Sequence, residues 1–167
     1  MTTDSLKRIV LFLVFVLAQA LVLGGIHLFN CATPLLYVYF VMMFPRNYPK
    51  WALLLWSFTM GLLIDVLFNT PGLAAASLTL IAAIQPYLLE AFTTQDSPEN
   101  LEPTLQTLGW KKYTTYAVMT VLIFCIVIYS LEMFSFFNLL HWAMCVIGST
   151  LITLVFIFTF EIARSKK

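Results

Sequence analysis

Six apolar runs follow one another along this chain, separated by polar breaks of which all but one are short. They cover about residues 6–28, 30–44, 51–68, 73–92, 113–131 and 139–160. A helix needs roughly 20 apolar residues to cross the hydrocarbon core of a bilayer. No water reaches backbone N–H and C=O groups there, so a spanning segment must satisfy them within itself. The pattern predicts an all-α, polytopic membrane protein: a single transmembrane domain over 1–167 built as a six-helix transmembrane bundle, with the lipid bilayer as its solvent. Composition agrees. Hydrophobic residues make up 61% and charged residues 10%, whereas a soluble domain carries about a quarter charged residues.

Some runs are less regular than others. Ala18-Gln19-Ala20, with Lys7 and Arg8 before it, imitates a signal-peptide cleavage site. The apolar run continues through Leu21-Val22-Leu23, so an uncleaved first helix is expected. The second run is short for a span. Starting its helix near Leu28 or Ala32 lengthens it, and Pro34 is tolerable in a first turn, where its missing N–H matters little. Pro86 inside the fourth run predicts a kink. Residues 93–112 form the one long polar segment, with Asp96, Glu99 and Glu102 early and Lys111 and Lys112 late. Leu101, Leu105 and Leu108 recur in it at helical spacing, which fits either a short helix in the headgroup layer or a solvated loop.

Charge fixes the expected orientation. The nine cations are Lys7, Arg8, Arg46, Lys50, Lys111, Lys112, Arg164, Lys166 and Lys167. With the amino terminus inside and six crossings, every one falls in an inside segment, and the breaks at about 29–34, 69–72 and 132–138 hold none. Cytoplasmic excess of Lys and Arg is what sets membrane orientation. Both termini are therefore expected in the cytoplasm, and Tyr48, Trp51, Trp110 and Tyr113 at the inner interface. Loops this short leave no room for a soluble catalytic unit. There is no P-loop, no G-x-S-x-G and no His pair with Glu at metal spacing, and His27 and His141 fit the outer interface. Phe134, Phe136 and Phe137 read as outer-interface packing. Cys31, Cys125 and Cys145 contain no C-x-x-C. No enzyme, cofactor or metal is expected. The net charge of +1 is neutral on nucleic acid, and none is expected as a partner.

Asp65 lies inside the third run, in GLLIDVLFNTPGL. Measured from Trp51 it is about 21 Å along a helix, so roughly 9 Å from the outer face of a 30 Å core. A midplane Asp costs about 2.5–3.5 kcal/mol to insert. Ser57, Gly61, Asp65 and Asn69 recur every four residues, a small and polar stripe facing other helices, while Leu55, Leu62, Leu63 and Val66 face lipid. Gly61 allows a neighbouring backbone to come close. Ala75, Thr79, Ala82, Pro86 and Glu90 form a matching seam on the fourth helix, joined to the third by the turn Asn69-Thr70-Pro71-Gly72. Three roles for Asp65 stay open. It caps the hairpin by accepting hydrogen bonds from Asn69, Thr70 or nearby N–H groups. It lines a polar pocket or partner surface. Or it relays protons or cations, with Gln19 and His27 as the obvious companions.

With these residues in view, the chain resembles the MreD family of bacterial rod shape-determining membrane proteins. The likeness rests on GLLIDVLFNTPGLAAASLT, Gly61 to Thr79, and on ATPLLYVYFVMMFPRNYPKW, Ala32 to Trp51. It is sharp over about residues 28–90, and only in character beyond. Gly61, Asp65, Pro71 and Gly72 fall on the family's recognisable step. The resemblance implies a non-enzymatic scaffold of the cell-elongation machinery (elongasome) in the bacterial inner membrane. Such a scaffold binds MreC, connects through it to MreB, and associates with RodA and a class B penicillin-binding protein to control cell shape and peptidoglycan synthesis. It also implies a fold resembling the S components of energy-coupling-factor transporters. The alternative function is accordingly a small-molecule (vitamin) binding membrane subunit of a transporter.

Overall fold

The computed structural model describes residues 2–20, 33–93, 101–133 and 139–165. Seven helices occur among them: α1 (Thr2–Ala18), α2 (Val38–Met42), α3 (Lys50–Phe68), α4 (Leu73–Phe92), α5 (Leu105–Leu108), α6 (Trp110–Met133) and α7 (Leu139–Ser165). No strand is found among the described residues. Helices α3, α4, α6 and α7 are long and apolar enough to cross a membrane, and α1 contributes a shorter apolar stretch, Arg8–Ala18. The protein is thus an all-helical membrane protein.

The long helices are sequential neighbours: α3 packs on α4, α4 on α6, and α6 on α7. Aromatic side chains of α1 close the ring. Phe12 meets Trp56 of α3 at 5.5 Å between ring centroids, and Phe15 meets Phe160 of α7 at 6.3 Å. The second apolar run passes through the middle of this ring. Residues 35–42 and Phe44 are all buried there.

The expected span over 30–44 differs from a helix of membrane length. Residues 30–32 lie outside the described residues, and the rest is helical only over the five residues of α2. The leg descends beside α7. The Thr33 N–H donates to Ser149 Oγ and the Leu35 N–H to Thr153 Oγ1, each at 3.1 Å, and the Tyr39 hydroxyl donates to Glu161. Ser149 to Glu161 rises roughly 18 Å along a helix. Thr33 to Tyr39 runs beside that stretch with half as many residues: 33–35 lie outside any helix, where backbone can advance about 3.3 Å per residue against 1.5 Å in a helix, and the chain then turns at 36–37 into α2. A short run therefore reaches far.

Extended backbone at membrane depth is tolerated only where protein buries it and supplies its hydrogen bonds. Ser149 and Thr153 supply two. Gln19 supplies two more: its Nε2 donates to the Pro34 carbonyl at 2.9 Å, and its Oε1 accepts from the Leu36 N–H at 3.2 Å. Gln19, a candidate relay member by sequence, is a backbone clamp in the structure.

The described cations gather at the opposite end of the ring from the α3–α4 turn. Arg8 sits over the Tyr48 ring at 4.2 Å and Lys50 over Tyr87 at 4.8 Å, and Arg46 pairs with Glu90 at 3.2 Å. Residues 101–108 fold onto this end rather than lying free of it. The Arg46 N–H donates to the Leu101 carbonyl, Leu101 and Leu108 are buried, and Arg164 pairs with Glu102 at 2.6 Å. Only Leu105–Leu108 is helical, started by reciprocal hydrogen bonds between Thr104 and Thr107. Glu161, the residue after the sixth apolar run, is 1% exposed and accepts from Tyr39 and from the Leu105 N–H. It is the tie between loop, leg and α7. Cys125 and Cys145 are buried. His27, Asn30, Cys31, Asp96, Glu99, Phe134, Phe136 and Phe137 lie outside the described residues.

Candidate functional site

Helix α3 ends where Asn69 takes the left-handed conformation, φ 55°. Asn is among the few non-glycine residues that adopt it readily. Its N–H and that of Thr70 both return to the Asp65 carbonyl. Two residues later Gly72 is also left-handed, φ 79°, and occupies the N-cap position of α4. Two such residues reverse the chain within four positions. Glycine at an N-cap carries no side chain to accept from the first-turn N–H groups, which then lack partners.

Asp65 supplies what Gly72 lacks. Its Oδ1 accepts from the Ala74 N–H and the Thr70 hydroxyl, and its Oδ2 from the Ala75 N–H, each at 2.9 Å. Ala74 and Ala75 are the second and third residues of α4, the positions an N-cap side chain ordinarily serves. The carboxylate also sits at the positive end of the α4 dipole. Three hydrogen bonds and that dipole offset the burial of a group only 4% exposed. Of the three roles open by sequence, these contacts are those of the hairpin cap. The donor set differs in one respect: the Thr70 hydroxyl and α4 N–H groups donate to the carboxylate, while Asn69 is exposed in the turn.

The spacing of Gly61 and Asp65 has a cause here. A Cβ on Gly61 would lie 2.4 Å from Ala75 Cα and 2.6 Å from Ala75 N. The first turn of α4 therefore rests directly on the Gly61 backbone. One helical turn further, Asp65 meets the N–H groups this approach delivers. Glycine permits the approach and aspartate uses it, so the G-x-x-x-D step is one device.

The remaining sequence candidates occupy different places. Ser57 is wholly buried on the same stripe, but its Oγ donates to the Leu53 carbonyl of its own helix at 2.8 Å and takes no part in the cap. Pro71 and Gly72 are exposed at the turn. The opposite face, Leu55, Leu62, Leu63 and Val66, points outward as the spacing predicts, Val66 at 78% exposure. On α4, Ala75 and Ala82 are buried, whereas Glu90 reaches the surface to meet Arg46.

Beside the capped hairpin is a cavity of about 270 Å³, bounded by the ends of α1, α3, α4 and α6 and by the central leg. Thr70 and Ala74, both bonded to Asp65, form part of its wall, and Tyr37 of the leg reaches into it. Sequence reasoning passed over Tyr37. It also passed over Gln85, whose Nε2 donates to the Phe44 carbonyl at 3.3 Å and to the Tyr116 hydroxyl at 3.2 Å. The available signal was a lone amide inside an apolar run, which predicts irregular backbone in need of a partner. No family model, no curated protein and no solved structure matches this chain.

Proposed function

We propose that this protein is a non-enzymatic membrane scaffold of the MreD type, seated in the bacterial inner membrane with both termini in the cytoplasm. It binds MreC, stands between it and the wall-synthesis pair of RodA and a class B penicillin-binding protein, and connects through MreC to MreB. The observation that carries this reading is the Gly61–Asp65 step, with its four-residue turn and the small-residue start of α4. That stretch bears the sharpest likeness to the family. The chemistry of the bundle is compatible with a docking role. Helices α3 and α7 present Leu55, Leu62, Val66, Met144, Ile147, Leu151 and Val155 outward. Neighbouring helices in a bilayer recognise such faces by packing. The proposed fold is that of the transporter S components, with the 33–44 leg as the second of six passes. The cation-bearing end faces the cytoplasm in this arrangement, as Lys and Arg excess requires.

The test is affinity purification of the tagged chain from native membranes, with partners identified by mass spectrometry. MreC is the expected companion. Recovery of no elongation protein would sink the scaffold reading.

A further inference from the structure

The Tyr113 hydroxyl is buried and has no hydrogen-bond partner among the described residues. Tyr113 is 1% exposed and stands near the start of α6. An orphaned buried hydroxyl is costly, and native proteins leave few of them. The charged group it faces is Glu161 of α7, close enough to act on it electrostatically but outside hydrogen-bond geometry. The Glu161 carboxylate is already engaged. Its Oε2 accepts from the Tyr39 hydroxyl, and its Oε1 from the Leu105 N–H at 3.1 Å. A donor without a partner thus stands beside an acceptor held by the strap of residues 101–108.

That strap is lightly held. Its turn is self-contained, because Thr104 and Thr107 bond each other and the Leu108 N–H returns to the Thr104 carbonyl. Toward the bundle, its Leu101 carbonyl accepts from the Arg46 N–H at 3.3 Å and its Leu105 N–H donates to Glu161. The Glu102–Arg164 pair is half exposed, and such pairs add little. Burial of Leu101, Pro103 and Leu108 supplies the rest. At the end of the strap Gly109 is exposed, with φ 78° and open space where a Cβ would be. Immediately beyond it, Trp110 and Tyr113 pack on Phe158 of α7, at 6.1 and 6.4 Å between ring centroids. The chain is anchored on one side of this glycine and loosely seated on the other.

We propose that residues 101–108 form a latch that opens by exchange of donors at Glu161. Docked, the Leu105 N–H holds Oε1 and the Tyr113 hydroxyl goes without. Released, the strap pivots at Gly109, the Leu105 N–H goes to water, and the Tyr113 hydroxyl takes the oxygen it vacates. Without that substitute, release would strand a buried carboxylate oxygen. With it, Glu161 keeps two donors in both states. Release uncovers the seat of Leu101 and Leu108 and frees Arg164 from Glu102, which changes the surface of the cation-bearing end. The latch stands on the contacts of the strap and not on the scaffold reading, so absence of MreC from a purification leaves it intact.

Hydrogen exchange of the full chain in lipid nanodiscs, resolved to Leu105 and Leu108 by fragmentation mass spectrometry, reads the latch. Such exchange follows the population of locally open forms. In the wild type the two strap amides exchange faster than those of α4 around Leu78 and Ile81. Tyr113→Phe removes the substitute donor and the orphan at once, so the strap amides exchange roughly fivefold slower, the effect of one net hydrogen bond. Glu161→Leu removes the acceptor and speeds them roughly tenfold. In that background Tyr113→Phe changes nothing, since no carboxylate is left to exchange on. Faster or unchanged exchange in the Tyr113→Phe variant overturns the latch, and this arm decides by itself if Glu161→Leu does not fold. A slowing that persists in the Glu161→Leu background also overturns it, because the hydroxyl then goes to water. So does equal protection of strap and α4 in the wild type, which would mean that the strap opens only with the whole molecule.

Discussion

At Asp65 a single carboxylate carries three donors from beyond its own helix, and the two oxygens are not equivalent. Asn in its place keeps one acceptor for Thr70 and Ala74 but sets an amide N–H₂ against the Ala75 N–H. Asp65→Asn is therefore expected to cost about 1 kcal/mol, and Asp65→Leu, which leaves all three donors bare, about 2–4 kcal/mol. Thermal midpoints of the purified variants in detergent should fall in the order wild type, Asn, Leu. A Leu variant as stable as the Asn variant would contradict the capping role. Much of this was legible in the sequence, because a carboxylate four residues after a glycine and just before a tight turn has few uses in lipid. Its donors were less legible. Gly72 stands where φ is positive and has no side chain to cap α4, and nothing in the letters Pro71-Gly72 states which side chain provides the surrogate.

Among the elements, the α3–α4 hairpin and the central leg solve the same problem by opposite means. The hairpin is regular, and its tolerance is set by contact distance. Gly61→Ala forces a methyl into the Ala75 backbone and should cost about 1–3 kcal/mol, whereas Leu62→Ala, on the outward face, should fall within about 0.5 kcal/mol. The comparison is read from melting in detergent and from levels in the membrane. The leg is irregular, and its tolerance is set by hydrogen bonding. Gln19→Leu strips partners from the Pro34 carbonyl and the Leu36 N–H together and should cost about 2–4 kcal/mol, more than Thr153→Val, which strips only the Leu35 N–H. Equal stability of the Gln19→Leu variant and wild type would show that water reaches the leg. The start of α3 follows Pro49 and the α3–α4 junction falls on Asn69-Thr70-Pro71-Gly72 between two apolar runs, so sequence finds these boundaries. The leg is hidden from sequence because its apolar composition is that of a span. The information that it is irregular lies in Gln19, 15 residues before Pro34, and in Ser149 and Thr153, 116 and 118 residues beyond the amides they serve.

For the molecule as a whole, segregation of charge is the feature most open to measurement. Asn47 sits at the cation-bearing end and Asn69 at the other. In a background with Cys31, Cys125 and Cys145 replaced, a cysteine at Asn69 should react with an impermeant maleimide on intact cells. One at Asn47 should react only after permeabilisation. Labelling of both from one side would refute the proposed threading. The six apolar runs and the one-sided cations made a polytopic protein readable from composition and order alone. The ring with an irregular leg inside it was not readable, since it depends on pairings between distant residues. Those pairings have a consequence for how the protein is made. Thr33 and Ser149 are 116 residues apart, and Leu35 and Thr153 are 118. At ribosomal speeds of about 5–20 residues per second, the partners emerge roughly ten seconds after the amides that await them. The middle of the protein is thus synthesised early and finished last. A nascent chain halted before Ser149 holds its centre with two bare amides.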